Sequence, residues 1–123
     1  MRPGRGNAHF PRALRLTRAR EFGRVFRRAV KSTDDCFTLL AAANQLGHPR
    51  LGLAVSRKHA RRAVARNRIK RVVRESFRLH QDVLGGMDIV VLARPDTEHK
   101  TSEQMHASLR RHWLRLQQRC ERS

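Results

Sequence analysis

Tyrosine is absent from this sequence, and tryptophan occurs once beside five phenylalanines. So few large rings leave too little apolar surface for a large ligand cavity. Cysteine occurs twice, as Cys36 and Cys120, far apart and outside any CxxC pattern. Neither a disulfide framework nor a thiolate zinc site is suggested, and a reducing cytoplasm fits. No apolar run approaches the roughly 18–20 residues of a membrane helix, so an integral membrane protein is not expected. Residues 1–20 are basic without a continuous apolar stretch, and no secretory signal is expected. The largest deficit is of negative charge: ten acidic residues face 28 Lys and Arg, a formal net charge of +18.

What is present suits one domain. The chain has 123 residues and is 39% hydrophobic, enough for a small core under one sheet. A charge of this size strains a compact monomer by self-repulsion and calls for a polyanionic partner, nucleic acid first among them. Only four of the 28 bases are lysine. Codon usage can bias that ratio, but guanidinium is also the group that forks onto phosphate and stacks on bases.

Residues 1–11 combine Pro, Gly and Arg without periodicity and read as a flexible basic arm. Thr17 is a candidate N-cap for a helix running to about Val30, with Glu21 in its first turn and Phe22, Val25, Phe26 and Ala29 on one face. Residues 31–35 read as a turn. Apolar runs at 36–44 and 51–57, joined by NQLGHPR, read as an antiparallel hairpin. The run at 88–94 is nearly all apolar, as in a central strand buried on both faces. A helical stretch at 61–80 precedes it, closed by Gly85-Gly86. The last helix begins near Thr101, where Thr101 and Gln104 form a capping-box pattern, and carries Met105, Leu109, Trp113 and Leu116 on one stripe. The expected fold class is α+β: a small open, mostly antiparallel sheet of three to four strands packed by helices. A single domain should span 12–118, with a polar tail at 119–123.

Residues 57–78, RKHARRAVARNRIKRVVRESFR, hold ten bases and one acid, Glu75. At 100° per residue, Ala65, Ile69, Val72, Val73 and Ser76 gather on one side. Arg66, Lys70, Arg74 and Arg78 step by four along the other, flanked by Asn67 and Arg71, while Arg68 falls toward the apolar edge. Like charges at i,i+4 oppose helix formation by about 0.2–0.5 kcal/mol each. A solvated charged face normally alternates its signs; this one does not, which points to a helix that meets phosphates.

The runs RLGLAVSRK (50–58), AVARNRIKRVVRESFR (63–78) and DIVVLAR (88–94), with RLTRAREFGRVF at 15–26, closely resemble the protein subunit of bacterial ribonuclease P. FPRALRL and LGHPRLGL give the variant a proteobacterial look. The resemblance implies a left-handed β-α-β crossover, against the usual right-handed rule. It implies an accessory role in removing the 5′ leader of precursor tRNA, with the catalytic site and its Mg²⁺ in the RNA subunit and no cofactor bound by the protein. The implied partners are that catalytic RNA and precursor tRNA, with no obligate protein partner and no membrane. Contacts to the RNA subunit are implied at Arg57, Lys58, Arg62, Arg66, Asn67, Arg68, Lys70, Arg71 and Arg74. The leader is implied to lie between the first helix and the sheet, against Phe22, Phe26 and Phe37. Read as residues alone, Phe22 and Phe26 are slightly better explained as an ordinary i,i+4 core pair, and Phe37 is core. Leu40 stands where some relatives have an aromatic, and no glycine lies between Lys58 and Ala63.

The residues themselves carry no assembled hydrolytic site. The acids are scattered apart from Asp34-Asp35, and the seven histidines show no HxxxH or HExxH spacing. No catalytic or metal-ligating residue is expected, and the protein alone should not cut RNA. The competing expectations are a structural RNA-binding protein of the ribosome, a protein nuclease with an unrecognised site and, more weakly, a DNA-compacting protein.

Overall fold

The structure, a computed structural model, describes residues 14–122 apart from His59; the expected arm at 1–11 lies outside the described residues. Helix α1 (Ala19–Arg28) takes Arg18, not Thr17, as its N-cap residue. The Glu21 carboxylate accepts the backbone N–H groups of Thr17 and Arg18, both at 3.1 Å, which is the acidic half of a capping box. The helix stops earlier than its apolar spacing suggests. Ala29 is already extended, and Val30–Thr33 form strand β1. A four-residue strand reading VKST is too short and polar for period-2 patterning to reveal, so the segment expected to be a turn is mostly strand. The turn is confined to its end, where Asp34 Oδ1 accepts the N–H groups of Cys36 and Phe37 at 2.9 Å.

Strands β2 (Phe37–Ala43), β3 (Arg50–Ala54) and β4 (Met87–Ala93) complete a four-stranded sheet of order β1-β2-β4-β3. The expected hairpin between β2 and β3 does not exist. β4 lies between them, antiparallel to β2 with Leu39 opposite Val91, and parallel to β3 with Leu51 opposite Ile89. The connection is short but steps over the start of β4: Asn44 N–H donates to the Gly86 carbonyl, keeping β2 zipped to β4 beyond its last residue. Gln45 and Gly47 then take positive φ, +60° and +82°. β4 is the buried central strand that its composition predicts.

Helix α2 (Ala63–Leu79) crosses from β3 back to β4, followed by the short α3 (Gln81–Leu84). After a 3₁₀ turn at Thr97–His99, α4 (Ser102–Arg122) begins on the expected capping box: Thr101 Oγ1 accepts from Gln104 N–H at 3.1 Å, and Gln104 Oε1 from Thr101 N–H at 2.8 Å. The residues expected to form a tail from 119 continue this helix to Arg122. Among the described residues no helix is long and apolar enough to cross a membrane.

The core occupies one face of the sheet. Phe37, Leu39 and Ala41 of β2, Leu51 of β3, and Ile89 and Val91 of β4 pack against Ala65, Ile69, Val72, Val73 and Phe77 of α2 and the α4 stripe Met105, Leu109, Trp113 and Leu116. Trp113 meets Phe77 edge-on at 6.0 Å, and its Nε1–H donates to the buried Ser76 hydroxyl at 2.8 Å. Among the described residues α1 is the helix on the other face, where its Val25 packs on Leu16 and Val90 with Phe22, Leu40 and Leu92 around them.

Candidate nucleic-acid interface

No acid stands in the first turn of α2, and its N-cap Arg62 supplies no side-chain cap. Both features work against the helix in isolation. Its stability comes from the buried stripe, which leaves the outer face free to carry charge. Arg62, Asn67, Arg71 and Arg74 are exposed there, Arg66 and Lys70 are half-buried, and Arg57 and Lys58 are exposed in the turn after β3. Arg15, beside the β3 edge through its bridge to Leu51, adds to this field. Partial burial, and then the Arg15 charge, lower the pKa of Arg74. A cation whose charged form is disfavoured by a neighbouring cation is stabilised by an incoming anion.

Two residues of the expected RNA-binding set also hold the protein together. Arg66 Nη1 donates to the carbonyls of Ala60 (3.0 Å) and Arg61 (2.8 Å), pinning the loop that leads into α2. Arg68 Nη2 donates to the carbonyls of Glu98 (3.1 Å) and Lys100 (2.9 Å), and its Nη1 lies 3.4 Å from Ser102 Oγ. Its offset on the helical wheel has that explanation: the guanidinium clamps the start of α4 onto α2.

The second surface lies between α1 and the sheet. Phe22 packs its ring edge against Gly52 of β3, where a Cβ would come within 2.6 and 2.7 Å of its Cε1 and Cζ. Only glycine lets the ring dock so close. Phe26, one turn on, is 52% exposed although it belongs to the apolar face. Beside these rings Leu40, Leu92 and Thr38 stay partly open. The result is a shallow groove with an aromatic wall and a mixed aliphatic and hydroxyl floor. Phe37 does not belong to it. By strand alternation its side chain points to the opposite face, fully buried in the α2/α4 core, so its assignment to the leader cleft is corrected.

A polar network that the sequence does not disclose fixes α1. Asp88 of β4 is fully buried on the α1 face. It accepts from Arg50 Nε and Nη2, Arg24 Nη2 and Asn44 Nδ2, each at 2.8 Å. Burial raises its pKa, but the hydrogen bonds from Arg50, Asn44 and Arg24 outweigh this and hold it below the usual carboxylate range. Arg50 Nη1 also reaches Glu21 at 2.8 Å, tying β3 to the first turn of α1. The signal available in the sequence was an acid at the head of an otherwise apolar strand.

Asp34, Asp35 and Cys36 are, among the described residues, the group that could converge on a cation. Their donors are already engaged. Asp34 takes the two backbone N–H groups, the Ser108 hydroxyl at 2.6 Å and a ring nitrogen of buried His112 at 3.2 Å; Asp35 pairs with Lys100 at 3.0 Å. Cys36 is buried, and burial followed by the Asp34 charge pushes its thiol pKa up. This donor set does not fit a resident metal ion.

The family model described as Ribonuclease P matches residues 10–117. The sequence is 52% identical over 121 residues to the ribonuclease P protein component of Methylococcus capsulatus, covering 98% of this chain and 94% of that one. It is 44% identical over 114 residues to the ribonuclease P protein component of Nitrosococcus oceani, covering 93% and 96%. Among solved structures, the RNase P protein of Staphylococcus aureus superposes with a TM-score of 0.77 at 33% identity, covering 85% of this chain and 95% of that one. That of Thermotoga maritima gives 0.73 at 32% identity, covering 82% and 96%.

Proposed function

The chain belongs to the ribonuclease P protein family, and from that membership we propose that it clamps precursor tRNA onto the RNA subunit of a tRNA-processing ribonuclease through two separate surfaces. Partnership with a ribonuclease P RNA follows from the family, whereas a ribosomal role has no support among the relatives. The α2 row, with Arg57, Lys58 and Arg62 leading into it, is the surface assigned to the RNA subunit. The groove of Phe22 and Phe26 is assigned to the single-stranded 5′ leader, whose bases stack on exposed rings. The observation that carries the reading is Phe26: a large ring left 52% exposed beside a half-open sheet face, on a protein of net charge +18.

The chemistry is assigned to the RNA and its Mg²⁺, because the adjacent acids Asp34 and Asp35 and the buried Asp88 are engaged in structural contacts. The role of the protein is then to lower repulsion between two polyanions and to hold the leader in register. The test is reconstitution with the RNA that co-purifies with the tagged protein. Cleavage of precursor tRNA should need less Mg²⁺ with the protein than without it, and protein alone should not cut. An unchanged Mg²⁺ requirement overturns the proposal.

A further inference from the structure

The sheet has a second basic border that neither surface uses. Arg111, Arg115 and Arg119 step by four along α4, on the side of that helix turned toward the β1 edge. Arg115 Nη1 donates to Ser32 Oγ at 2.8 Å, and Arg119 donates to the Lys31 carbonyl, so the row hangs directly over the edge strand. Lys31 is exposed on β1, directly opposite Leu40 of β2. Cross-strand partners have Cβ atoms about 4.5–5.5 Å apart on the same face. The Lys31 side chain therefore lies on the Leu40 side of the β1 edge, and its backbone carbonyl takes Arg119 of the row. The acid nearest this row, Asp34, is occupied by Ser108, His112 and backbone N–H groups and lies 3.6 Å from Arg111. It offsets the charge of Arg111, and the row keeps the positive charge of Arg115 and Arg119.

Like charges at i,i+4 cost helix stability unless something anionic meets them. Successive arginines in the row are separated by about 6 Å along the axis, a spacing suited to following a sugar-phosphate chain. The α2 row and Arg15 stand at the β3 edge, this row stands at the β1 edge, and the groove joins them across the sheet. We infer that the β1 edge and the α4 row carry the distal 5′ part of a long leader: single-stranded RNA that has crossed the Phe22/Phe26 groove and is held there by its phosphates, without sequence preference. This inference rests on the leader-binding reading of the groove.

The test uses the reconstituted holoenzyme and precursor tRNAs whose leaders are about 5 or about 15 nucleotides long, spanning the usual single-strand site sizes. Wild type should bind the long-leader precursor about three- to tenfold more tightly, with a steeper salt dependence. The variant K31Q/R111Q/R119Q should lose that gain while binding the short-leader precursor as wild type does. The milder K31Q/R111Q keeps the Arg115 and Arg119 contacts to β1 and should lose part of the gain. Arg110→Gln, off this side of α4, should keep it, and melting curves check folding throughout. A triple variant that retains the full gain overturns the inference. Equal losses for both precursors and for mature tRNA also overturn it, assigning the row to the RNA subunit or the tRNA body while leaving the groove intact. If wild type shows no leader-length dependence and Phe26→Ala has no effect on either precursor, the groove reading falls with it.

Discussion

Phe26→Ala separates recognition from packing, because the structure fixes the stability term in advance. Truncating a fully buried Phe costs about 3–5 kcal/mol, of which the cavity left behind is a large part. Phe26 is 52% exposed and closes no cavity. Its loss removes about half of a transfer term of roughly 1.5–3 kcal/mol, so about 1 kcal/mol of stability. The melting point should fall by only a few degrees for a domain of this size. A base stacked on the ring contributes about 1–3 kcal/mol, which corresponds to about 5- to 150-fold in affinity. The variant should therefore bind precursor tRNA about 5- to 150-fold more weakly and mature tRNA, which lacks the leader, as wild type does. The assay is a pair of titrations on the reconstituted holoenzyme beside a thermal melt. Equal losses for the two tRNAs, or a melting shift of the size expected for a core truncation, would refute the reasoning.

Lys70/Arg71/Arg74→Ala should leave folding intact and flatten the salt dependence of RNA-subunit binding by about 0.7–0.9 in slope per lost phosphate contact, measured by titration at several salt concentrations. Arg68→Ala should behave in the opposite way: a fall of about 1–3 kcal/mol in unfolding free energy, because the Glu98 and Lys100 carbonyls lose their donor, with little change in salt slope for the folded protein. Gly52→Ala puts a methyl within 2.7 Å of the Phe22 ring and should expel it from its seat, costing about 1–3 kcal/mol in a denaturant melt and weakening long- and short-leader precursors alike. Acid should destabilise the fold in two stages. Burial, only partly offset by Asp34, holds His112 below its ordinary 6.5, so the unfolded chain binds more protons and stability falls as pH drops below that value. Asp34 and Asp88, held below 3.8 by their donors, extend the fall under pH 4; denaturant melts from pH 7.5 to 3.5 should show both stages, and His112→Asn should remove the first.

Legibility followed the range of the contacts. The buried side of α2 was readable residue by residue, since Ala65, Ile69, Val72, Val73 and Ser76 obey a local 3.6-residue period. So was the capping box at Thr101. The pairing of β2 with β4 was not, because the distance between runs 36–44 and 51–57 favours a hairpin, whereas the ladder from Phe37–Ala93 to Ala43–Met87, continued by Asn44 to Gly86 and Asp88, inserts β4 between them. β1 escaped notice because an edge strand held by Ser32 hydrogen bonds under α4 needs no apolar alternation. For Phe37 the parity of β2 settles the matter: a one-residue change of register is a change of face. Arg68 shows the limit of charge counting, since the same guanidinium that reads as a phosphate ligand is fixed by partners 30 and 32 residues away.

The two faces of the sheet are held by different physics, and the difference suits a protein that must leave one of them open to RNA. The α2/α4 face is closed mainly by apolar area, with the Arg68 clamp and the Trp113–Ser76 hydrogen bond fixing α4 on α2. The α1 face carries a ten-residue helix whose apolar seat is small, so its position is set instead by Asp88, Arg24, Arg50 and Glu21. A buried carboxylate on an RNA-facing surface would ordinarily repel phosphate. Here two guanidiniums stand against two carboxylates, and the cluster is neutral. It locates α1, and with it the Phe22/Phe26 wall, without adding a repulsive charge to the groove. The attraction is left to the rows at the β3 and β1 edges, where Arg62, Arg71, Arg74, Arg111 and Lys31 are exposed. On the proposed reading, docking strength and groove width are set by separate residues: a change in the α2 row should alter how tightly RNA is held, and a change at Asp88 or Gly52 should alter what the groove accepts.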